Sequence, residues 1–523
     1  MNLTKILRFG LYLLIAVTFC KGLYHLVSQA WYFFEGAYAG DAKYYWTVGR
    51  GILNGHVLYT DIFDTKPPGI YLLSALSLWM FDDGTLGFWI NALMVLAYPV
   101  IFGVAAHILA RDLSRNRRWY IILCSILFGS LISLYAGFQG EAWQVEWYGA
   151  FFGSLYALAL VCLPWRHSRR ALAILSICMI LTIGFKEPFT LSLIGVGLLL
   201  LPKKKDLLSG LAVPLGITAA VGVVGLLIFG YAHGYFTTYL PSHFGHHLIR
   251  STPLWQRGLY IDILVRFLWE FSYLFSALIA ALLTHALLRS RQYPRPIVRA
   301  LLILFVFYLA LTAGNLRGYP VSNHFVALVP LYTALFLLLL QHIIANGYNR
   351  IFHTCMGLMM FTLLTLPMKD GIPHYSVVLS VNKEGVVEHR ETAQQLDEIL
   401  DACDVERYFF VEEKPFMEYM NHSPLNFFVY TGSEAMVYFH PVLIEKQLQS
   451  FSKAKIVIAH GESYEISQDP AKKTLSEMTF RYLANNFTIT PWKCAEGLPL
   501  PENYSVLFRK DPSNMNPFLF KMK

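Results

Sequence analysis

Charged side chains are scarce in this chain: Asp, Glu, Lys and Arg make up 15% of 523 residues, against 55% hydrophobic residues. With a mean hydropathy of +0.46, that shortage excludes an ordinary soluble globule, whose charged fraction is nearer about 25%. Glycine loops of the Walker or dinucleotide-binding type are missing, as are internal repeats and low-complexity segments. Cysteine is sparse, with seven in all. Cys20, Cys124, Cys162, Cys178 and Cys355 fall in or beside apolar runs and read as packing residues. Cys403 and Cys494 fall in the mixed C-terminal chain, where they form either a disulfide or two unpaired thiols. The first apolar run, 6–27, follows Lys5 and Arg8 but carries no small-residue cleavage site, so it reads as a retained anchor.

What the chain has in abundance is long apolar stretches, and a bilayer core needs about 20 residues of helix to cross it. Beyond 6–27, such stretches fall near 87–110, 119–137, 147–164, 171–185, 188–201, 209–231, 263–288, 300–313, 324–345 and 351–368. The expected fold is therefore a polytopic α-helical membrane protein of about 11 transmembrane helices. Basic residues collect in alternate connections: Arg111, Arg115, Arg117 and Arg118; Arg166, Arg169 and Arg170; Lys203, Lys204 and Lys205; Arg289, Arg291, Arg295 and Arg299. By the positive-inside rule these connections are cytoplasmic, which gives an N-in, C-out orientation. They also account for the net charge of +8 without nucleic acid as a partner. The first loop (28–86), the 138–146 turn, the 232–262 loop and 369–523 then lie outside.

Past residue 368 the apolar runs stop and a mixed chain of about 150 residues begins, the usual size of one domain. Leu396, Ile399 and Leu400 have helical spacing within 388–403, and Tyr408-Phe409-Phe410-Val411 reads as a strand. Two more strands are expected at 455–459 and 504–508, with a helix around 475–483 between them. The two regions are thus 1–368, a transmembrane domain, and 369–523, an extracytoplasmic α/β domain.

The most informative segment is the first loop, with Gly40-Asp41-Ala42-Lys43-Tyr44-Tyr45 followed by Tyr59-Thr60-Asp61-Ile62-Phe63-Asp64-Thr65-Lys66-Pro67-Pro68-Gly69. It places carboxylates and a cation at a membrane surface, where a deprotonating hydroxyl and a phosphate leaving group can both be served. The Asp41 and Tyr-x-Asp-x-x-x-x-Lys-Pro-Pro-Gly patterns, the many spans and the exported tail together resemble the GT-C superfamily of membrane glycosyltransferases. The resemblance is to the branch with bacterial relatives of protein O-mannosyltransferases and lipid A aminoarabinose transferases. It runs from the first span to about residue 345. It implies a polyprenyl-phosphate-linked sugar donor, a lipid, glycan or protein acceptor, inversion at the anomeric carbon, and an active site on the outer face of the bacterial cytoplasmic (inner) membrane.

By that resemblance Asp41 is the general base or the group that orients the acceptor hydroxyl. Ala42 stands where many relatives carry a second acid, and the residues alone also allow Asp41 to cap the helix expected at 42–53. Tyr44 and Tyr45 accompany it. Lys66 matches the lysine that meets the lipid phosphate in the lipid A enzymes, and its competing reading is an interfacial lysine whose ammonium snorkels to headgroups. Asp61 and Asp64 orient Lys66, help to hold a divalent ion, or are exposed loop acids. A second carboxylate is expected from the next outward turn, Glu146 ahead of Glu141, although a glutamate opening a helix also suits the helix dipole.

Asp262, Arg266 and Glu270 share one helix face, so Arg266 either pairs with its neighbours or faces the donor phosphate. Lys186, beside Glu187 and Pro188, and Arg317 are further phosphate candidates. His324 belongs to the Gly318–Pro330 stretch that resembles a late outward loop of the family. His243, His246 and His247 have spacing for two imidazoles on one metal, with solvated histidines the competing reading, so the sequence requires no cofactor and leaves a divalent cation open. Trp31, Trp46, Trp143 and Trp147 default to interfacial belts. Two other classes compete with the enzyme: a transporter or lipid flippase, whose sites lie near the bilayer midplane, and a noncatalytic envelope assembly protein.

Overall fold

The computed structural model describes residues 9–20, 23–24, 27, 42–137, 143–164, 168–201, 203–244, 305–306, 309, 326–346, 383–411, 417, 419–427, 441–460, 470–501 and 504–511. The chain divides into two compact units: Met1–Phe33, Phe88–Val224 and Ser251–Ser380 form one, and Phe34–Gly87, Gly225–Arg250 and Val381–Lys523 form the other.

The first unit is helical. Among the described residues, four helices are long and apolar enough to cross a membrane: Thr85–Leu109, Val145–Cys162, Lys204–Ile228 and Val326–Ala345. Helices Arg115–Gly137, Arg169–Phe185 and Thr190–Leu200 also occupy spans expected from sequence. The span expected near 209–231 falls on Lys204–Ile228, whose Leu208–Ala212 stretch is π-helical and leads into Val213–Ile228. The spans near 263–288 and 351–368 lie outside the described residues, as does most of 300–313.

Apolar packing and locally satisfied hydroxyls hold this bundle together. Phe128 and Phe336 stack with ring centroids 4.1 Å apart, and Phe102 meets both edge-on. Ser154 donates to the Ala150 carbonyl at 2.9 Å and receives Tyr98 and Thr333 hydroxyls at 3.4 and 3.2 Å, so the polar groups buried there are paired. The outward side of Thr85–Leu109 exposes Trp89, Leu93, Val100 and Val104, an apolar surface suited to hydrocarbon rather than water.

Three of the expected belt tryptophans are core residues instead. Trp147 stacks on Tyr98 at 5.2 Å, Trp143 is buried, and Trp46 fills the space left by Gly84, where an added Cβ would lie 1.6 Å from the indole. Among the described residues, Trp79, Trp89 and Trp119 are exposed. Indole amphipathicity fits either place, and packing decides. Trp31 lies outside the described residues. Cys124 and Cys178 are buried as expected, Cys162 is half-buried and Cys20 is exposed; Cys355 lies outside the described residues.

The second unit contains an α/β domain. Its sheet has β1 (Arg407–Phe410), β2 (Ser423–Pro424), β3 (Ile456–His460), β4 (Phe487–Thr488) and β5 (Tyr504–Arg509), in the order β2-β1-β3-β5-β4. β1 is parallel to β2 and β3, whereas β5 is antiparallel to β3 and β4. A parallel neighbour requires a crossover, and helix Pro441–Lys453 lies in the one from β1 to β3. Phe409, Val457, Leu507, Phe451, Leu483 and Phe487 form the core. Leu396, Ile399 and Leu400 bury one face of helix Lys383–Ala402, as their spacing predicts. Arg509 is buried and donates to the Ala454 and Ser452 carbonyls, both at 2.7 Å, so it satisfies orphan acceptors at the end of helix Pro441–Lys453. The Cys403–Cys494 disulfide, Cα to Cα 5.2 Å, ties the end of helix Lys383–Ala402 to the Lys493–Ala495 turn.

Candidate functional site

Asp41, Glu141, Arg266, Arg317 and His324 lie outside the described residues, as do His246, His247 and the side chain of His243. The remaining candidates fall into two groups, one in each unit.

In the second unit, helix Ala42–Leu53 buries Tyr44 and Tyr45 and ends before a tight turn in which Leu58 bridges Ile62. Tyr59 takes a left-handed backbone, φ 67°, which is unusual for an aromatic residue and costs on the order of 1–2 kcal/mol. Several contacts hold it there. Its N–H donates to the Ile62 carbonyl at 2.7 Å, its ring packs against Tyr235 and Tyr239 at 5.7 and 4.7 Å, and its hydroxyl donates to the Lys66 carbonyl at 2.8 Å. Gly234 leaves room for the turn, since a Cβ there would lie 2.6 Å from the Tyr59 carbonyl carbon.

Lys66 is 7% exposed and its peptide is clamped on both sides. While Tyr59 occupies its carbonyl, its N–H donates to the Tyr71 hydroxyl at 3.0 Å, and that hydroxyl donates to Asp64 Oδ2 at 2.8 Å. Asp64 Oδ1 accepts the Thr65 N–H at 2.6 Å. Burial first, and then the Asp64 carboxylate, push the Tyr71 phenol well above its ordinary pKa, so it stays a donor. Tyr45 meets the Tyr71 ring edge-on at 5.9 Å. Pro67 is the N-cap of helix Pro68–Phe81, so the double proline starts the helix just after Lys66, as the sequence implies.

The two loop acids part company. Asp64 is buried within this network, whereas Asp61 is exposed and caps its own turn by accepting the Val57 N–H at 2.8 Å. His56, Arg407 and Lys446 all lie within electrostatic reach of Asp61. Burial, and then Arg407, lower the His56 pKa against the pull of Asp61 and Glu406.

In the first unit, Glu146 and Lys186 form an ion pair. Glu146 stands in the first turn of Val145–Cys162 and Lys186 at the C-cap of Arg169–Phe185, so each charge complements a helix terminus as well as its partner. Both are buried, Glu146 at 1% exposure. The structure thus joins a residue expected to be catalytic with one expected to bind phosphate.

Tyr59 and Tyr71 are site residues that sequence reasoning did not single out. Tyr59 was visible only as the first letter of the Tyr-x-Asp pattern, and Tyr71 lies in the second half-turn after Pro-Pro with nothing local to mark it. Among the described residues, no group of three or more His, Cys, Asp or Glu is arranged to hold a metal ion. No protein-family model, curated protein or solved structure matches the chain.

Proposed function

We propose that this chain is an inverting membrane glycosyltransferase of the GT-C type. It moves a sugar from a polyprenyl-phosphate donor to a lipid, glycan or protein acceptor at the outer face of a bacterial cytoplasmic membrane. The observation that carries this reading is the clamped peptide of Lys66. Both of its hydrogen-bonding groups are tied down by buried tyrosines, one of them anchored on Asp64. Transfer leaves a phosphate anion behind. A cation held on a rigid loop in a low-dielectric setting stabilises that developing charge without reorganising, whereas a solvated lysine does not. Burial at Lys66 also disfavours the snorkelling alternative, which keeps the ammonium in water.

In this reading Lys66 receives the departing phosphate and Asp41 accepts the proton of the acceptor hydroxyl as it attacks the anomeric carbon. Purified protein in nanodiscs, given a radiolabelled polyprenyl-phosphate sugar and candidate acceptors, tests it. Wild type transfers label, and Lys66→Ala loses roughly a hundredfold in rate, the weight of one preorganised electrostatic contact. Unchanged transfer by Lys66→Ala and Asp41→Asn overturns the assignment. Movement of the intact donor across vesicles without turnover favours the flippase.

A further inference from the structure

The loop that carries Lys66 rests on residues 421–427 of the C-terminal domain. Phe63, three residues before Lys66, donates its N–H to the Phe427 carbonyl at 2.6 Å, and the two rings stack at 5.6 Å. At the other end of the loop, the Asn54 side-chain amide donates to Ser423 Oγ at 2.8 Å and to the Asn421 carbonyl at 3.3 Å. The supporting segment is itself fixed. Ser423 and Pro424 pair with β1, and the Asn426 side chain exchanges two 2.9 Å hydrogen bonds with the Phe410 backbone, imitating one more rung of the ladder. Asp397 then accepts the Asn421 and His422 N–H groups at 2.7 and 3.2 Å.

An edge strand of two residues has little reason to be held by so many groups unless its outer side has work to do, and that side meets the Lys66 loop. We propose that residues 421–427 are a positioning strap: through Phe427 on Phe63 and Ser423 on Asn54, the C-terminal domain sets the place of Lys66. Phe427 and Asn54 act through the loop and touch no reacting atom. The catalytic consequence rests on the glycosyltransferase reading; the positioning does not.

The test reads Lys66 directly. The full-length protein in nanodiscs is treated with acetic anhydride, and acetylation of Lys66 is followed by mass spectrometry against exposed Lys453. A buried lysine reacts through local opening, so weakening the strap raises its rate by the change in the opening equilibrium. Phe427→Ala is expected to raise Lys66 labelling about tenfold, from the lost ring contact. Asn54→Ala is expected to raise it about fivefold, for one net hydrogen bond. Phe427→Tyr, which keeps the ring, stays within about twofold of wild type. Leu483→Ala, which loosens the same domain from its core, leaves Lys66 labelling unchanged.

Equal labelling in wild type and Asn54→Ala overturns the strap, and this exposed loop variant decides the matter alone if Phe427→Ala does not fold. A rise in Leu483→Ala as large as in Phe427→Ala also overturns it. In the transfer assay the same variants lower kcat in step with labelling and leave the acceptor KM unchanged. Absence of transfer even by wild type removes the enzymatic reading, while raised Lys66 labelling still supports the strap.

Discussion

Removing one member of the Glu146–Lys186 pair should destabilise the protein far more than removing both. The pair is buried, with Glu146 at 1% exposure, and its ends sit at complementary helix termini. Taking away one partner strands a charge in a low-dielectric interior, which costs about 3–5 kcal/mol, whereas replacing both by neutral side chains is often close to neutral. Glu146→Gln and Lys186→Met should therefore each lower the melting temperature by roughly 10 °C, at about 2–4 °C per kcal/mol. The double variant should return to within about 1 kcal/mol of wild type, a coupling of at least about 5 kcal/mol. Thermal unfolding of the four proteins in one detergent, with donor binding measured beside it, supplies the cycle. Additive losses would refute the reasoning. So would a Lys186→Met protein of wild-type stability that fails to bind the donor, because Lys186 would then serve a ligand rather than Glu146.

Four further outcomes follow from the second unit. Replacing Cys403 and Cys494 by serine opens a loop of sequence separation 91 and should cost about 4 kcal/mol, visible as a lower midpoint in nonreducing urea denaturation. His422 Nδ1 donates to Asp397 Oδ1 at 2.7 Å, and Nε2 lies 3.3 Å from Asp401; the Asp397 hydrogen bond is the main cause of its raised pKa. Its contribution is full below an unfolded value near about 6.5 and fades as pH rises through the folded value, with a slope of at most about 1.4 kcal/mol per pH unit. His422→Asn should flatten that limb of the stability profile. His56 has the opposite sign, its folded pKa being lowered by burial and Arg407, so its penalty appears as pH falls below about 6.5, and His56→Asn should flatten the acid limb. Gly234→Ala should cost about 1–3 kcal/mol by driving a methyl into the Tyr59 backbone, and should raise Lys66 reactivity without touching Lys66.

Much of the architecture was legible because it rests on composition and period. Apolar runs gave the helices of the first unit, and β1, β3 and β5 lie within a residue or two of the expected strands. β2 is two residues long and has no period to read. Helix Pro441–Lys453 has a sequence signature of its own, with proline at its first position and Leu443, Gln447, Leu448 and Phe451 buried along one side. Tryptophan placement was not legible, since one amphipathic ring suits core and interface alike. Nor was the difference between Asp61 and Asp64, three residues apart in one loop, because burial is set by Tyr71 and by the turn at Tyr59 rather than by neighbours in sequence.

The ion pair is the instructive case, because its geometry was implicit in the expected spans. Two helices joined by a short connection run antiparallel, so the start of Val145–Cys162 must come level with the end of Arg169–Phe185. Glu146 and Lys186 occupy those two positions. A carboxylate in the first turn of one helix and an ammonium at the last position of the next are each favoured by their own helix dipole, and at adjacent ends each also removes the other's desolvation penalty. A charge buried in a membrane protein is costly unless it finds a partner of opposite sign, and each of these two has one in the other. Lys66 is positioned differently, with Tyr59 and Tyr71 fixing its backbone carbonyl and N–H.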